Sequence, residues 1–281
     1  MPRFVSIKPN PDAQRALQTN PMIISLESKR VVVTGGSSGL GEAMSIAVAA
    51  AGAKVAVNYS RHADKAKAVV AKIQAAGGEA FAIKADVSKP KAAAMLFAAV
   101  EKRWGGIDIL INNAGIDGKR ALAWKIDFKE WSKVMEINLT GAFLCAAEAL
   151  KRMVPKKRGV ILNVTSVHEI IPWSGYSAYA ASKAGVAMMT KTLAQEAAPY
   201  GIRVLAIAPG AIRTPINRAV WRNPKALKDL EKKIPLQRMG EPSEIAAMAV
   251  VLVSDAASYV TGCSVTVDGG MTDYADFAHG G

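Results

Sequence analysis

Seven short apolar runs recur along the chain, each bounded by turn residues and separated from the next by a helical pattern: "RVVVTGG", "KVAVNYS", "EAFAIKADV", "IDILINNAG", "GVILNVTS", "IRVLAIAPG" and "SVTVDGG". Strands alternating with helices build a parallel sheet covered on both faces, because each crossover must carry the chain back across the sheet. Strands buried on both sides need no polar alternation, which is why these runs read as continuous Val, Ile and Ala. The predicted fold class is therefore α/β, a single doubly wound parallel sheet of seven strands. No linker or internal repeat divides it, so residues 29–281 form one domain. Residues 1–28, with the polar, Pro-bearing "KPNPDAQRALQTNP", are expected to form a flexible N-terminal arm. Ligands of such sheets bind beyond the carboxyl ends of the strands, where the strand order reverses.

The chain's 281 residues and 51% hydrophobic content suffice for a sizeable core. No apolar run reaches the roughly 18–20 residues that cross a bilayer, and Met1 to Arg30 lacks a secretory pattern. The expected location is cytoplasmic, with no membrane partner. Cys145 and Cys263 are far apart in apolar stretches, so both are expected in the core, with neither a disulfide framework nor a metal site. The net charge of +13 raises the question of nucleic acid. Its densest run, "KRMVPKKRG" from Lys151, lacks interleaved aromatic residues and matches no DNA-binding motif, so no nucleic-acid partner is expected.

After the first strand comes "TGGSSGLGEAMSIAVAAAG", a glycine-rich turn leading into a helix of small residues. Glycines admit a pyrophosphate close to the backbone, and the helix N-terminus offers free N–H groups and a positive dipole end. Gly35, Ser37, Ser38, Gly39, Leu40 and Gly41 are the candidate cradle. The second strand of such a fold ends at the residue that reads the adenosine ribose, an acid for a free 2′-hydroxyl or a nearby arginine for a 2′-phosphate. Asn58 stands at that end with Arg61 close by, which favours NADP. NAD stays open, as does Arg61 as a solvated loop charge.

The stretch "YSAYAASK" places Tyr176 and Tyr179 seven and four residues before Lys183. Four residues on a helix share a face with Cβ atoms about 5–6 Å apart, whereas seven residues are separated by roughly 10 Å of rise. Only Tyr179 can work closely with Lys183. A phenol with a pKa of about 10 is a poor base near neutrality, and a neighbouring ammonium favours its phenolate.

The ordered set "TGGSSGLG", "NNAG", Asn138, Ser166, "YAASK" and "PGAIRTP" resembles the short-chain dehydrogenase/reductase family over about residues 29–281. The resemblance implies a Rossmann-like fold and hydride transfer between a nicotinamide cofactor and an alcohol or carbonyl, with Tyr179 as general acid/base. It implies that Lys183 lowers the tyrosine's pKa and holds the nicotinamide ribose. Ser166 would bond the reacting oxygen, and Asn138 would position a relay water. Asp86 and Val87 would meet the adenine, and Ile212 and Thr214 the carboxamide. Asn113, Ala114, Gly115, Pro209 and Gly210 would line the same cofactor site. Related enzymes are commonly tetramers, and a homotetramer is expected.

"SVHEIIPW", "PGAIRTPIN", "ASYVTG" and the ending "DGGMTDYADFAHGG" resemble the glucose 1-dehydrogenase branch. Oxidation of glucose or a related sugar at C1 to the lactone is the substrate expectation. Asp117, Ser166, His168, Tyr176 and Tyr179 are the candidate substrate residues, with Glu169 and the tail as further polar groups. Asp117 and Gly118 depart from the Glu-Asn usual in that branch, and Gly175 and Tyr176 differ as well. A carbonyl reductase acting on a 3-oxoacyl group or small ketone is the alternative enzyme, and a non-catalytic dinucleotide sensor the alternative of another class.

Overall fold

The computed structural model describes residues 24–273. Among the described residues there are seven strands: β1 Arg30–Val33, β2 Lys54–Tyr59, β3 Ala80–Lys84, β4 Ile109–Asn112, β5 Gly159–Val164, β6 Ile202–Pro209 and β7 Ser264–Val267. They form one sheet in the order β3-β2-β1-β4-β5-β6-β7, with every pairing parallel. All seven runs read as strands from sequence are strands of this sheet. Between them lie α1 Gly39–Ala50, α2 Ala63–Ala75, α3 Pro90–Trp104, α4 Phe128–Met135, α5 Gly141–Met153 and α6 Ser177–Ala197. α7 Arg218–Trp221, α8 Pro224–Glu231 and α9 Pro242–Val253 follow β6.

The strand order reverses between β1 and β4, so the crevice above these two strands is where a ligand fits. β1 shows why the strands read as unbroken apolar runs. Val31 and Val33 join the core on one face, with Met44 and Val48 of α1 and Ile245 and Leu252 of α9. Val32 joins the core on the other, with Phe97 of α3 and Cys145 and Met153 of α5. Each fully buried side chain of this size contributes about 1.5–3 kcal/mol, so both layers are needed to hold the sheet.

The N-terminal arm expected over residues 1–28 lies, for 1–23, outside the described residues. Of its last five, Leu26 is fully buried in the core, and its N–H donates to Ala51 O at 2.7 Å. Cys145 is buried as expected, whereas Cys263, just before the edge strand β7, is half-buried. Among the described residues, no helix is long and apolar enough to cross a membrane, and no group of three His, Cys, Asp or Glu is placed to hold a metal ion.

Candidate active site

The turn after β1 is held by hydrogen bonds from three directions. Thr34 Oγ1 accepts from Asn113 N and Ala114 N at 2.9 and 3.0 Å, and Asn113 Nδ2 donates to Thr34 O and Gly35 O at 3.0 and 3.2 Å. Asn58 Oδ1 accepts from Gly35 N at 3.2 Å, while its Nδ2 donates to Ile83 O and Ala85 O. Asn58 is thus 2% exposed and braces the turn between β2 and β3, while Arg61 beyond it is exposed. Thr34, which locks the two loops together, was not singled out from sequence. Only its place directly after the strand could have marked it.

The glycines answer to this crowding. Gly35 and Gly39 have φ of +60° and +56°, which L-residues rarely adopt. A Cβ on Gly41 would overlap Gly35 O and the Asn113 amide. Ser38 stands at the N-cap of α1 without a side-chain cap, leaving the first N–H groups of the helix beside half-buried Ser37 and Leu40. A cradle with no Cβ and an uncapped helix start fits the pyrophosphate of a dinucleotide. Asp86 is exposed and holds Ser88 through its N–H and hydroxyl at 3.1 and 2.8 Å, next to buried Val87. Pro209 ends β6, and a Cβ on Gly210 would meet Asp268. Buried Ile212 bridges to Gly240, and Thr214 bonds Asn217 through its N–H at 3.1 Å. Gly39 lies near Thr214 and Pro215, so this segment borders the glycine turn.

Four side chains expected to do chemistry gather above β4 and β5. A π-helical turn, Glu136–Thr140, joins α4 to α5 and carries Asn138. Such a turn inserts an extra residue into the helix and re-aims its side chain, a change that helical periodicity alone does not reveal. Asn138 Oδ1 accepts from Ile116 N at 2.8 Å, and its Nδ2 donates to Ile116 O at 2.8 Å and Ser182 Oγ at 3.0 Å. Ser182 Oγ in turn donates to Tyr179 O at 2.7 Å, tying Asn138 to the first turn of α6. Lys183, 6% exposed, donates to Val164 O at 2.8 Å and lies 3.6 Å from the Cβ position of Gly115. Its Nζ is 5.7 Å from the centre of the Tyr179 ring.

Burial pushes the Lys183 ammonium down to about 8, with the Glu169 carboxylate pulling it back up. Burial also pushes the Tyr179 phenol above its ordinary value, a hydrogen bond with Ser166 opposes this, and Asp117 adds to it. The sequence-based expectation is a phenol lowered by Lys183; in the chain alone the phenol is instead raised, by desolvation first, and the opposing influence is the bond with Ser166 rather than Lys183. Asp117 is half-buried and its carboxyl is likewise raised by desolvation.

The segment between Ser166 and α6 forms an aromatic stack. Trp173 stacks on His168 at 4.5 Å and on Tyr176 at 3.9 Å, and meets Tyr179 in a T-shaped contact at 5.8 Å. His168 Nδ1 is 3.1 Å from Ile171 O, and burial lowers the imidazole pKa, which favours the neutral ring. His168 and Tyr176 are therefore brought to the site as rings of a wall. Trp173, the middle ring, lay within the quoted "SVHEIIPW" but was not singled out. A groove of about 520 Å³ beside it, lined by Leu122, Pro172 and Ala180, includes none of Ser166, Tyr179 or Lys183. The residues of the tail proposed as sugar contacts from Tyr274 onward lie outside the described residues.

The parallel sheet, the glycine cradle at its switch point and a tyrosine one turn before a buried lysine define a dinucleotide-binding oxidoreductase. Residues 35–272 match the family model described as enoyl-(acyl carrier protein) reductase. 3beta-Hydroxysteroid dehydrogenase 1 of Eggerthella lenta is 48% identical, over 92% of this chain and 99% of its own. Glucose 1-dehydrogenase 2 of Bacillus subtilis is 40% identical, over 90% and 98%. The structure of a gluconate 5-dehydrogenase from Burkholderia cenocepacia, in complex with NADP and tartrate, has a TM-score of 0.85 and 32% identity, covering 90% of this chain and 98% of that one. The chain belongs to the short-chain dehydrogenase/reductase family and is an NAD(P)-dependent oxidoreductase of that family.

Proposed function

We propose that this enzyme interconverts a secondary alcohol and its ketone on a ring-bearing, largely apolar substrate, with Tyr179 as general acid/base. The observation that carries this reading is the His168–Trp173–Tyr176 stack beside Tyr179, a wall better matched to apolar rings than to a field of hydroxyls. The similarity to a 3beta-hydroxysteroid dehydrogenase supports it. When bound, the nicotinamide supplies or accepts the hydride. Gly35, Ser37, Gly39 and Gly41 would hold its pyrophosphate, and Lys183 its ribose. Ser166 would orient the reacting oxygen. With its pKa raised, Tyr179 holds its proton and is ready to give it to a carbonyl oxygen during reduction. Alcohol oxidation requires that proton to leave first.

Asn58 acts in this reading by bracing the cradle, and Arg61 carries the preference for NADP over NAD. Asp86, Val87, Asn113, Ala114, Gly115, Pro209, Gly210, Ile212 and Thr214 keep their proposed places along the cofactor. A cytoplasmic homotetramer remains part of the proposal.

Oxidation of glucose at C1 is the second reading. Two carboxylates, Asp117 acting on Tyr179 and Glu169 acting on Lys183, favour it, since sugar hydroxyls need such acceptors. A panel of fused-ring secondary alcohols, glucose and small ketones, each with NADP and NAD, separates the readings. Turnover is expected with the fused-ring alcohols. Rapid NAD(P)H formation from glucose with none from those alcohols overturns the preference, and cofactor binding without turnover of any compound leaves the dinucleotide sensor.

A further inference from the structure

Two groups, Lys183 on α6 and Glu169 on the turn packed against that helix, each lack what the other offers. The Lys183 ammonium has three N–H donors, yet its side chain is buried and donates within the chain to Val164 O. Glu169 ends the short turn Val167–Glu169 after Ser166, where its N–H donates to Ser166 O at 2.9 Å. One of its carboxylate oxygens, Oε2, is enclosed and has no hydrogen-bond partner among the described residues. The turn packs directly against α6, the helix that carries Lys183. Glu169 as a whole is half-buried, yet an enclosed carboxylate oxygen without a partner and a buried ammonium short of acceptors, on two packed elements, are each costly alone.

We propose that Glu169 is a positioning residue for Tyr179, acting through Lys183: its half-enclosed carboxylate supplies the negative charge that keeps the buried lysine an ammonium while the enzyme works. The inference rests on the proposed role of Tyr179 and Lys183. Four titratable or charged groups face this pocket: Tyr179 on the same helix as Lys183, Asp117 from the segment after β4, and His168 and Glu169 from the turn after β5. Their influences divide. Asp117 opposes ionisation of Tyr179, and Glu169 favours the charge on Lys183. His168 favours its neutral form and adds no charge near neutrality. Asn138 and Gly115 complete the surroundings without charge.

Lys183 would lose its proton earlier without Glu169, and support for the phenolate would fall at a lower pH. In Glu169→Gln the alkaline limb of the kcat/KM profile for alcohol oxidation is expected about half a pH unit or more below that of the wild type. Cofactor Kd at neutral pH should stay within about twofold, and Glu169→Asp, which keeps the charge, should move the limb less.

A second readout needs no substrate. The folded pKa of Lys183, about 8, lies below the ordinary lysine value of 10.5, so the unfolded chain binds more protons between the two. Stability from this group rises with pH across that window and is lost as pH falls back through it. In Glu169→Gln the rise in Tm should begin at lower pH. Profiles and Tm curves that superimpose on the wild type overturn the inference. Should no compound in the panel be turned over, the proposed function fails while the Tm curves still decide whether Glu169 acts on Lys183.

Discussion

The proposed cofactor side and the proposed substrate side of the cleft are built by different means. On the cofactor side, Thr34, Asn58 and Asn113 hold the glycine turn through a mesh of hydrogen bonds to backbone groups. On the substrate side, between Ser166 and α6, the main tertiary features are a stack of three rings and one enclosed carboxylate oxygen. Backbone-directed hydrogen bonds fix a shape that does not depend on which substrate arrives. Stacked rings can exchange shape and size with little change to the backbone, so this is where substrate choice can vary while cofactor binding stays fixed.

The sharpest way to test the division is to remove chemistry without touching either wall. Tyr179→Phe is expected to lower kcat by at least about 10²-fold with cofactor Kd unchanged in a direct titration. A kcat within a few-fold of the wild type would take Tyr179 out of the reaction. Next comes the cradle. Gly41→Ala must displace Gly35 O or the Asn113 amide, so Tm should fall by an amount equivalent to about 1–3 kcal/mol. Dinucleotide affinity should drop about tenfold or more. Full affinity in this variant would mean that the cradle yields more readily than its bonding indicates.

On the other wall the effect should be smaller and should fall on different constants. Trp173→Ala removes two stacking contacts, with His168 and Tyr176, each worth about 0.5–1.5 kcal/mol beyond simple burial, and should raise substrate KM several-fold with cofactor Kd unmoved. A parallel loss of cofactor affinity would show that the two walls are coupled. The smallest effect is expected at Arg61. Because its side chain is exposed, Arg61→Ala should weaken NADP by up to about fivefold and leave NAD alone. Equal changes for both cofactors would return Arg61 to the solvent.

Seven strands, their parallel sense and the glycine turn were legible in the sequence because each is a local pattern: an apolar run, a flanking turn, a spacing of glycines. Tyr179 and Lys183 were legible as a pair for the same reason, one helical turn fixing their relation. The rest depended on what surrounds a residue. Asn58 reads as a ribose contact by position, yet its amide is engaged by β3 and the glycine turn. Asn138 was marked by the family resemblance and not by its spacing, because helical periodicity does not report the π turn that aims it. The raised phenol and lowered ammonium follow from desolvation, which no spacing reports. Trp173 was passed over because its neighbours meet it through an irregular loop, where neither helical nor strand periodicity applies.

The lock between Thr34 and Asn113 joins residues 79 apart in the chain. β1 likewise has its second neighbour in β4, which begins only at Ile109. During synthesis the first strand and its glycine turn therefore emerge long before the partners that shape them, and contacts of such long range form slowly. A nascent chain shorter than about 110 residues carries the glycine-rich turn without its lock and with one edge of β1 unpaired. Chaperone capture or aggregation of arrested chains should therefore ease once Asn113 has cleared the ribosome, a dependence on translation that the finished enzyme no longer displays.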